Sequence, residues 1–503
     1  LLDKDGKPVG DAVPLDDKGQ GVIKLPQGVS GESVGVIAKS DGQQSPVETV
    51  AVPPLKPTLG AVDPQTGKVE VVGKPGATVQ LKDSTSKPVG EPVTLDVQGK
   101  GVIQIPTTAS GQALSAVQKV GGVESLPSAS VTVPLLKPVL GAVDADKGEL
   151  LVSGKPGATA QLLDKDGKPV GDAVPLDDKG QGVIKLPQGV GGESVGVVAK
   201  SDGQQSPAAT VAVPPLKPTL GVVDPQTGKV EVIGKPGATA QLKDSTGKPV
   251  GEPVTLDAQG KGQIQIPTTA SGQALSAVQK VGGVDSLPSA AVTVPLLKPV
   301  LGTVDPETGK VEIVGAPGAS AQLKDTTGKP LGEPVTLDSV GKGAAQVPAT
   351  SSGQVVVAVQ TLNGADSLPS AAVTVPLLKP VLGEVDPQTG KVEVVGKPGA
   401  TVQLKGSAGK PVGEPVTLDT QGKGAIQVPP TASGQAVTAV QKADDVESLP
   451  SAAVNVPLLK PGLGAVDPQT GKVEVSGKPG AIVQLKDSTS KPVGEPVTLD
   501  GEG

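Results

Sequence analysis

Seven residue types are missing from this sequence: Phe, Tyr, Trp, Met, Cys, His and Arg are all absent, so every basic residue is a lysine. Without cysteine the chain forms no disulfide and offers no thiolate to a metal or a substrate. Without His, Cys, Tyr or Arg, the usual general bases, thiol nucleophiles and oxyanion-binding cations of enzymes are unavailable. These absences predict a chain that is not an enzyme, with no catalytic residue, no cofactor and no dedicated metal site.

The charge pattern argues against two further classes of partner. The 44 basic and 51 acidic residues are interspersed, with a formal net charge of −7, so no basic stripe faces a nucleic acid. No aromatic residue exists to stack on a base, and no apolar run approaches the ~18 residues of a membrane span. We therefore expect no nucleic-acid partner and no membrane span in this segment. The N-terminal Leu1–Asp5 does not resemble a signal peptide, and the lack of cysteine does not fix the compartment.

Glycine and proline are abundant, with 70 and 52 copies, and they recur at fixed places. The stretch Gly73–Ala77 reads Gly-Lys-Pro-Gly-Ala and predicts a type II β-turn, because Pro75 fixes φ and Gly76 accepts a positive φ. Thr78–Leu81 then alternates polar and apolar residues, as a half-buried strand does. The Pro-Gly pair returns every 80 or 81 residues, at Pro156-Gly157, Pro236-Gly237, Pro317-Gly318, Pro398-Gly399 and Pro479-Gly480. This period divides the chain into about six units.

One period contains seven short apolar segments at a spacing of 8–12 residues, which predicts an antiparallel β-sandwich. We expect Ser84–Gly90 to be a polar connection and Gly121-Gly122 to be a hairpin turn. Valine, leucine, isoleucine and alanine alone must fill the sandwich, at about a dozen residues per unit. The predicted strands are Thr58–Val62, Lys68–Val72, Ala77–Asp83, Pro92–Leu95, Gly101–Ile105, Gln112–Val120 and Ser128–Val133.

The repeats predict an all-β tandem array of immunoglobulin-like sandwiches that forms an elongated rod of ~200 Å. Proline-rich links such as Val133–Pro138 are too short for free swivelling, and we expect their apolar pair to pack between neighbouring sandwiches. One sequence variant, Asp-Lys-Asp-Gly after a leucine pair, occurs twice, near Leu1 and near Leu162. Because both ends fall inside a unit, we expect a window of a longer array. The predicted units are residues 1–53 (partial), 54–134, 135–214, 215–295, 296–376, 377–457 and 458–503 (partial).

The residues of one unit resemble the bacterial immunoglobulin-like tandem repeats of large surface adhesins and biofilm-associated proteins. The resemblance rests on Gly-x-Pro-Gly-Ala-Thr-Val-x-Leu-x-Asp at Gly73–Asp83, followed by Leu-Asp-x-x-Gly-x-Gly at Leu95–Gly101, and it covers essentially the whole chain. It implies an immunoglobulin-like sandwich, secretion, and a stalk or cohesion role in a cell-surface fibre.

Three short motifs suggest chemistry, and each has a simpler interpretation as a turn. Ser-x-x-Lys at Ser84–Lys87 occurs in serine acyl-enzymes at the start of a helix, but here it lies between strands. Asp-Lys-Asp-Gly at Asp3–Gly6 and Asp164–Gly167 resembles the start of a calcium loop without its later ligands. Leu95–Val97 matches a minimal integrin-binding tripeptide, and later copies lose its valine. Weak calcium binding at an exposed loop and an intramolecular lysine–aspartate isopeptide link remain alternatives.

Three hypotheses for function follow from this pattern. The leading one is a structural stalk or spacer of a bacterial cell-surface or extracellular fibre, in adhesion or biofilm cohesion. Its partners are neighbouring repeats, and no host or matrix ligand is identified. The second is a binding module whose repeat edges pair with other copies of the protein, because exposed strand edges are templates for pairing. The third is a disordered, elastomer-like or artificial repeat chain.

Overall fold

The computed structural model describes residues 1–503, and its regular secondary structure is almost entirely short antiparallel strands. The first complete repeat sets the pattern for the other four. Its strands are β5 (Thr58–Val62), β6 (Lys68–Val72), β7 (Thr78–Lys82), β8 (Pro88–Thr94), β9 (Lys100–Gln104), β10 (Ala113–Val120), β11 (Val123–Glu124) and β12 (Val131–Thr132). A partial N-terminal unit precedes it, with β1 (Ser33–Val36), β2 (Lys39–Ser40), β3 (Gln43–Gln44) and β4 (Glu48–Ala51).

The second to fifth repeats have the same eight strands in the same order. The second has β13 (Val139–Asp144), β14 (Glu149–Ser153), β15 (Thr159–Leu163), β16 (Pro169–Pro175), β17 (Gln181–Lys185), β18 (Ser194–Ser201), β19 (Gln204–Gln205) and β20 (Ala209–Ala212). The third has β21 (Thr219–Leu220), β22 (Lys229–Ile233), β23 (Thr239–Lys243), β24 (Pro249–Thr255), β25 (Lys261–Gln265), β26 (Ala274–Val281), β27 (Val284–Asp285) and β28 (Val292–Thr293).

The remaining strands continue the series to the end of the chain. The fourth repeat has β29 (Val300–Val304), β30 (Lys310–Val314), β31 (Ser320–Asp325), β32 (Pro330–Thr336), β33 (Lys342–Gln346), β34 (Val355–Leu362), β35 (Ala365–Asp366) and β36 (Val373–Thr374). The fifth has β37 (Val381–Val385), β38 (Lys391–Val395), β39 (Thr401–Gly406), β40 (Pro411–Thr417), β41 (Lys423–Gln427), β42 (Ala436–Ala443), β43 (Val446–Glu447) and β44 (Val454–Asn455). A partial C-terminal unit has β45 (Gly462–Val466), β46 (Val473–Ser476), β47 (Ile482–Lys486) and β48 (Pro492–Thr498).

Single turns of 3-10 helix are the only helical elements, and none is long enough to cross a membrane. They are Gln27–Val29, Thr107–Ala109, Gln188–Val190, Thr268–Ala270, Ala349–Ser351 and Pro430–Ala432.

Each complete repeat is a sandwich of two antiparallel sheets. In the first repeat one sheet has the order β5-β6-β9, and the other has the order β11-β10-β7-β8 with β12 also paired to β10. The other four complete repeats have the same topology. The predicted all-β tandem array of immunoglobulin-like sandwiches is therefore confirmed.

The core of each complete repeat is aliphatic, as the composition predicts. The five cores contain 13 or 14 buried residues each, and all of them are Val, Leu, Ile or Ala. The first core residue along the chain is Val62 in the first repeat, and its counterparts in the second to fifth repeats are Leu150, Val223, Val304 and Val385. The predicted unit boundaries, of which the first complete unit is residues 54–134, remain a prediction. Several cores include a leucine that lies just beyond the predicted end of the unit.

The Pro-Gly turn adopts its predicted geometry. The amide of Ala77 donates to the carbonyl of Lys74 at 3.0 Å, and Gly76 has φ +75°. The hairpin at Gly121-Gly122 is also confirmed, because both residues have positive φ and join β10 to β11.

The prediction of a connection over Ser84–Gly90 and a strand from Pro92 is wrong, because β8 begins at Pro88. Leu81 pairs with Val89 and Val79 pairs with Val93, so the intervening Gly and Pro residues bulge opposite Gln80. The Gln80 side-chain amide donates to the carbonyls of Val89 and Gly90 at 3.2 and 3.1 Å. A glutamine thus satisfies the backbone groups that the bulge leaves unpaired.

The predicted strand Ser128–Val133 is shortened to Val131–Thr132. Serine side chains replace part of the missing ladder, because the hydroxyls of Ser125 and Ser128 accept from the amides of Gln118 and Ala116 at 3.1 and 2.9 Å. No buried side-chain polar atom lacks a hydrogen-bond partner.

Candidate functional site: the junction between repeats

The link between repeats contains a leucine that belongs to two repeats at once. The side chain of Leu297 is part of the core of the third repeat, and its amide donates to the Ser271 hydroxyl of that repeat at 3.1 Å. Its carbonyl accepts a hydrogen bond at 2.6 Å from the Gln360 side chain of the fourth repeat. The expectation that the apolar pair packs between sandwiches holds for this pair, because Leu297 packs into the preceding core and Leu296 packs against the core of the fourth repeat.

A buried glutamine is the second half of this junction. Gln360 lies on β34, the central strand of its sheet, and is 0% exposed. Its Oε1 accepts from the amide of Ala316, at the Pro-Gly turn of its own repeat, at 2.8 Å. The glutamine therefore connects the turn of one repeat to the link from the previous repeat. A buried neutral hydrogen bond of this kind contributes about 0.5–1.5 kcal/mol. We call this arrangement the glutamine clasp.

The glutamine clasp occurs at four junctions. Its glutamines are Gln118, Gln279, Gln360 and Gln441, all fully buried. They donate to the carbonyls of Leu55, Leu216, Leu297 and Leu378. They accept from the amides of Lys74, Lys235, Ala316 and Lys397. The glycine before each of these last residues leaves room for the glutamine oxygen, since a Cβ there would overlap it.

The two junctions that follow an Asp-Lys-Asp-Gly unit are more polar than the others. At the link to the third repeat, Lys235 lies 2.8 Å from the carboxylate of Glu193 and donates to the carbonyl of Gly189 at 2.7 Å. Gln279 also donates to the side chain of Gln188 at 3.1 Å. The equivalent contacts before the first repeat join Lys74 to Glu32 at 2.7 Å, Lys74 to Gly28, and Gln118 to Gln27.

The later junctions lack this ion pair because their residues differ. Gln273 and Gln354 replace the glutamate at the ends of the third and fourth repeats. Ala316 has no amine, and Lys397 pairs instead with Asp444 of its own repeat at 2.9 Å. The glutamine clasp is thus common to both kinds of junction, and the ion pair is specific to one.

The sequence motifs that suggested chemistry lie on exposed turns. Ser84 and Lys87 belong to the β7–β8 turn, where the Asp83 carboxylate accepts from the amides of Thr85 and Lys87 at 2.8 and 2.9 Å. The Thr85 hydroxyl, then the Lys87 amide, hold the pKa of Asp83 below its ordinary value. This is the geometry of an Asx turn, not of a nucleophile beside its base.

The other two motifs are turns as well. Asp3 and Asp164 each accept from the amides two and four residues ahead. In the tripeptide Leu95–Val97, Leu95 is 3% exposed and belongs to the core, so only the turn residues face solvent. No group of three acidic side chains is positioned to hold a metal ion.

Another aspartate fixes the turn between the first two strands of each repeat. The Asp305 carboxylate accepts from the Thr308 hydroxyl at 2.6 Å and from the Glu307 amide at 2.8 Å. The Thr308 hydroxyl is the main reason that the pKa of Asp305 is lowered. The same cause lowers the pKa of Asp63, Asp224, Asp386 and Asp467.

The role of the clasp glutamine was not predicted from the sequence, although the sequence contains a signal for it. In β10 the residues Leu114 and Ala116 point inward in alternation, and Gln118 continues the same phase. A polar residue in a buried phase needs a partner. The partner of Gln118 lies in another repeat, 63 residues away, where periodicity gives no information.

Comparison with known proteins finds matches among solved structures. No family model and no curated protein matches the chain. Among solved structures, a tetra-tandem repeat from the extending region of a large adhesion protein is 17% identical, with 64% of this chain and 99% of that chain covered and a TM-score of 0.17. The BSP domain of a biofilm-associated protein is 12% identical, with 80% of this chain and 96% of that chain covered and a TM-score of 0.17.

The N-terminal eight immunoglobulin domains of Down syndrome cell adhesion molecule are 13% identical, with 99% of this chain and 90% of that chain covered and a TM-score of 0.15. The first two structures are of the kind that the sequence resemblance names, and the third has the predicted immunoglobulin fold. TM-scores this low mean that the chains do not superpose as wholes.

Proposed function

We propose that this chain is a stalk or spacer region of a bacterial cell-surface or extracellular fibre protein that serves adhesion or biofilm cohesion. The observation that carries the proposal is the glutamine clasp, which joins successive sandwiches end to end through a short proline-flanked link. A spacer needs repeated folded units that hold their neighbours at a fixed position. Secretion and a surface location belong to this proposal.

The surface area of the chain supports an extended array. A compact protein of 49.3 kDa exposes ~17,000 Å² by the usual scaling. This chain exposes 27498 Å², and only 124 of its 503 residues are buried. The excess fits many small sandwiches in a row better than one globule, and the five cores argue against the disordered alternative.

Small-angle X-ray scattering of the full chain tests the spacer function. A compact globule of this length has a radius of gyration of ~23 Å and an unfolded chain has ~80 Å, whereas a rod of ~200 Å has ~60 Å. We expect ~60 Å together with the cross-section of a single sandwich. Either a compact particle or the scattering of a random coil contradicts the proposal.

A second candidate function is association between copies of the chain. The hairpin after the central strand exposes the same two apolar residues in three repeats: Val123 and Leu126, Val284 and Leu287, and Val446 and Leu449. Their exposures run from 47% to 75%. Exposed apolar side chains that recur at one position of the repeat are suited to pairing with the same side chains of another copy.

Sedimentation velocity over a wide concentration range tests this candidate. We expect the sedimentation coefficient to rise with concentration, and the rise to disappear when Leu126, Leu287 and Leu449 are all replaced by serine. A coefficient that does not change with concentration leaves the spacer function alone standing.

A further inference from the structure

Among the five junctions that precede a complete repeat, one differs from the others because it has no clasp. At the position of Gln118, Gln279, Gln360 and Gln441, the second repeat has Ala199. No hydrogen bond and no ion pair joins the first repeat to the second. The amine of Lys155 pairs with Ser201 and Asp202 of its own repeat at 2.9 and 2.8 Å.

A groove lies at this junction. It has a volume of about 410 Å³, and its walls are the link at Pro134 and Leu135, Pro64 of the first repeat, and Gln204–Pro207 of the second. Leu135 is 6% exposed, whereas the residues at its position in the later links, Leu296 and Leu377, are only half-buried. An apolar, non-directional contact beside open space therefore replaces the directional hydrogen bonds of the other junctions.

We propose that the junction between the first and second repeats is the hinge of the array, and that the Gln-to-Ala difference at Ala199 creates it. The inference rests on the proposed spacer function, because it assigns the place where the spacer bends. The next junction, between the second and third repeats, has the clasp, the Lys235–Glu193 ion pair and the Gln279–Gln188 contact, so it is stiffer than the hinge. A flexible and a stiff junction thus flank the same repeat.

The absence of cysteine allows a direct test on the full chain. The turn after β8 and its equivalents offers one exposed position per repeat, and its residue varies naturally: Val97, Asp178, Ala258 and Ser339. Pairs of cysteines at these positions, carrying spin labels, report the distance across one junction each by double electron–electron resonance. The 97/178 pair spans the proposed hinge, 178/258 spans the junction with both the clasp and the ion pair, and 258/339 spans a junction with the clasp but no ion pair.

We expect the distance distribution of the 97/178 pair to be roughly twice as wide as that of 178/258. Ala199→Gln narrows the 97/178 distribution, because Gly154 keeps the space that the equivalent Gly73 gives to Gln118. Gln279→Ala widens 178/258 and leaves 258/339 unchanged. Gln263→Ala, which removes an exposed glutamine from the same repeat, changes neither.

Equal widths for 97/178 and 178/258 overturn the hinge. A 97/178 distribution that stays wide in the Ala199→Gln variant overturns the assignment to Ala199. Either result is distinguishable from failure of the spacer function, because that failure appears in the scattering as a compact or unfolded chain.

Discussion

Leu242→Ala is expected to destabilise the third repeat by about 2–5 kcal/mol, the range for a large-to-small change in a packed core. Leu242 is 0% exposed and lies on β23 among 14 buried aliphatic residues. No aromatic side chain is present to fill the space that the substitution leaves. A domain of this size has only a few kcal/mol of net stability, so the substitution brings the repeat close to unfolding.

Hydrogen exchange of the full chain, followed by mass spectrometry, localises this effect. We expect peptides from the third repeat to lose protection, while peptides from the fifth repeat keep it. Leu287→Ala is the matched control, because it removes the same atoms from a side chain in the same repeat that is 47% exposed. Equal protection in the two variants would falsify the assignment of Leu242 to a tightly packed core.

Gly260→Ala is expected to lower the stability of the third repeat by more than about 3 kcal/mol, for two reasons. A substitution at a second glycine measures one of these reasons alone. Gly260 has φ +76°, which disfavours any residue with a Cβ, and the new Cβ would also overlap the carbonyl oxygen of Gly234. The amide of the same Gly234 donates to the carbonyl of Gly260 at 2.8 Å. The two residues therefore cannot move apart to relieve the overlap without losing this hydrogen bond.

Gly237→Ala isolates the backbone contribution. Gly237 has the same φ of +76°, but no atom lies within 4 Å of the position that its Cβ would take. We expect it to cost about 1–2 kcal/mol, the ordinary penalty for a left-handed residue. Chemical denaturation of the full chain, with hydrogen exchange to identify the repeat that opens, compares the two. If both variants open equally easily, the overlap with Gly234 does not limit the turn.

Local signals made most of the fold predictable. The Pro75-Gly76 turn, the strand that follows it and the Gly121-Gly122 hairpin each depend on the conformations open to one or two residues. Absence was equally informative, because a chain with no aromatic residue had to have aliphatic cores. One exception was β8, where Gly90 and Pro92 indicate a break, and a bulge bonded by the Gln80 side chain keeps the strand intact.

The junctions could not be predicted because their contacts are not local. The role of Gln118 depends on a carbonyl in the previous unit, and the role of Glu193 depends on a lysine in the next unit. The repeat period shows that these residues recur without showing what they contact. The alanine at position 199 gains meaning only when the other four repeats are compared at that structural position.

The linker leucine also determines how the length of the array can change. Its side chain packs into the repeat before it and its amide is bonded there, and its carbonyl is bonded by the next repeat wherever that repeat carries the clasp glutamine. Whole periods that carry this glutamine can therefore be inserted or lost without leaving the leucine carbonyl unpaired. If the second repeat were lost, the repeat after Leu136 would be the one that carries Gln279, and the Leu136 carbonyl could accept the clasp hydrogen bond. A recombination event that shortened the array by one unit would thus also remove its hinge.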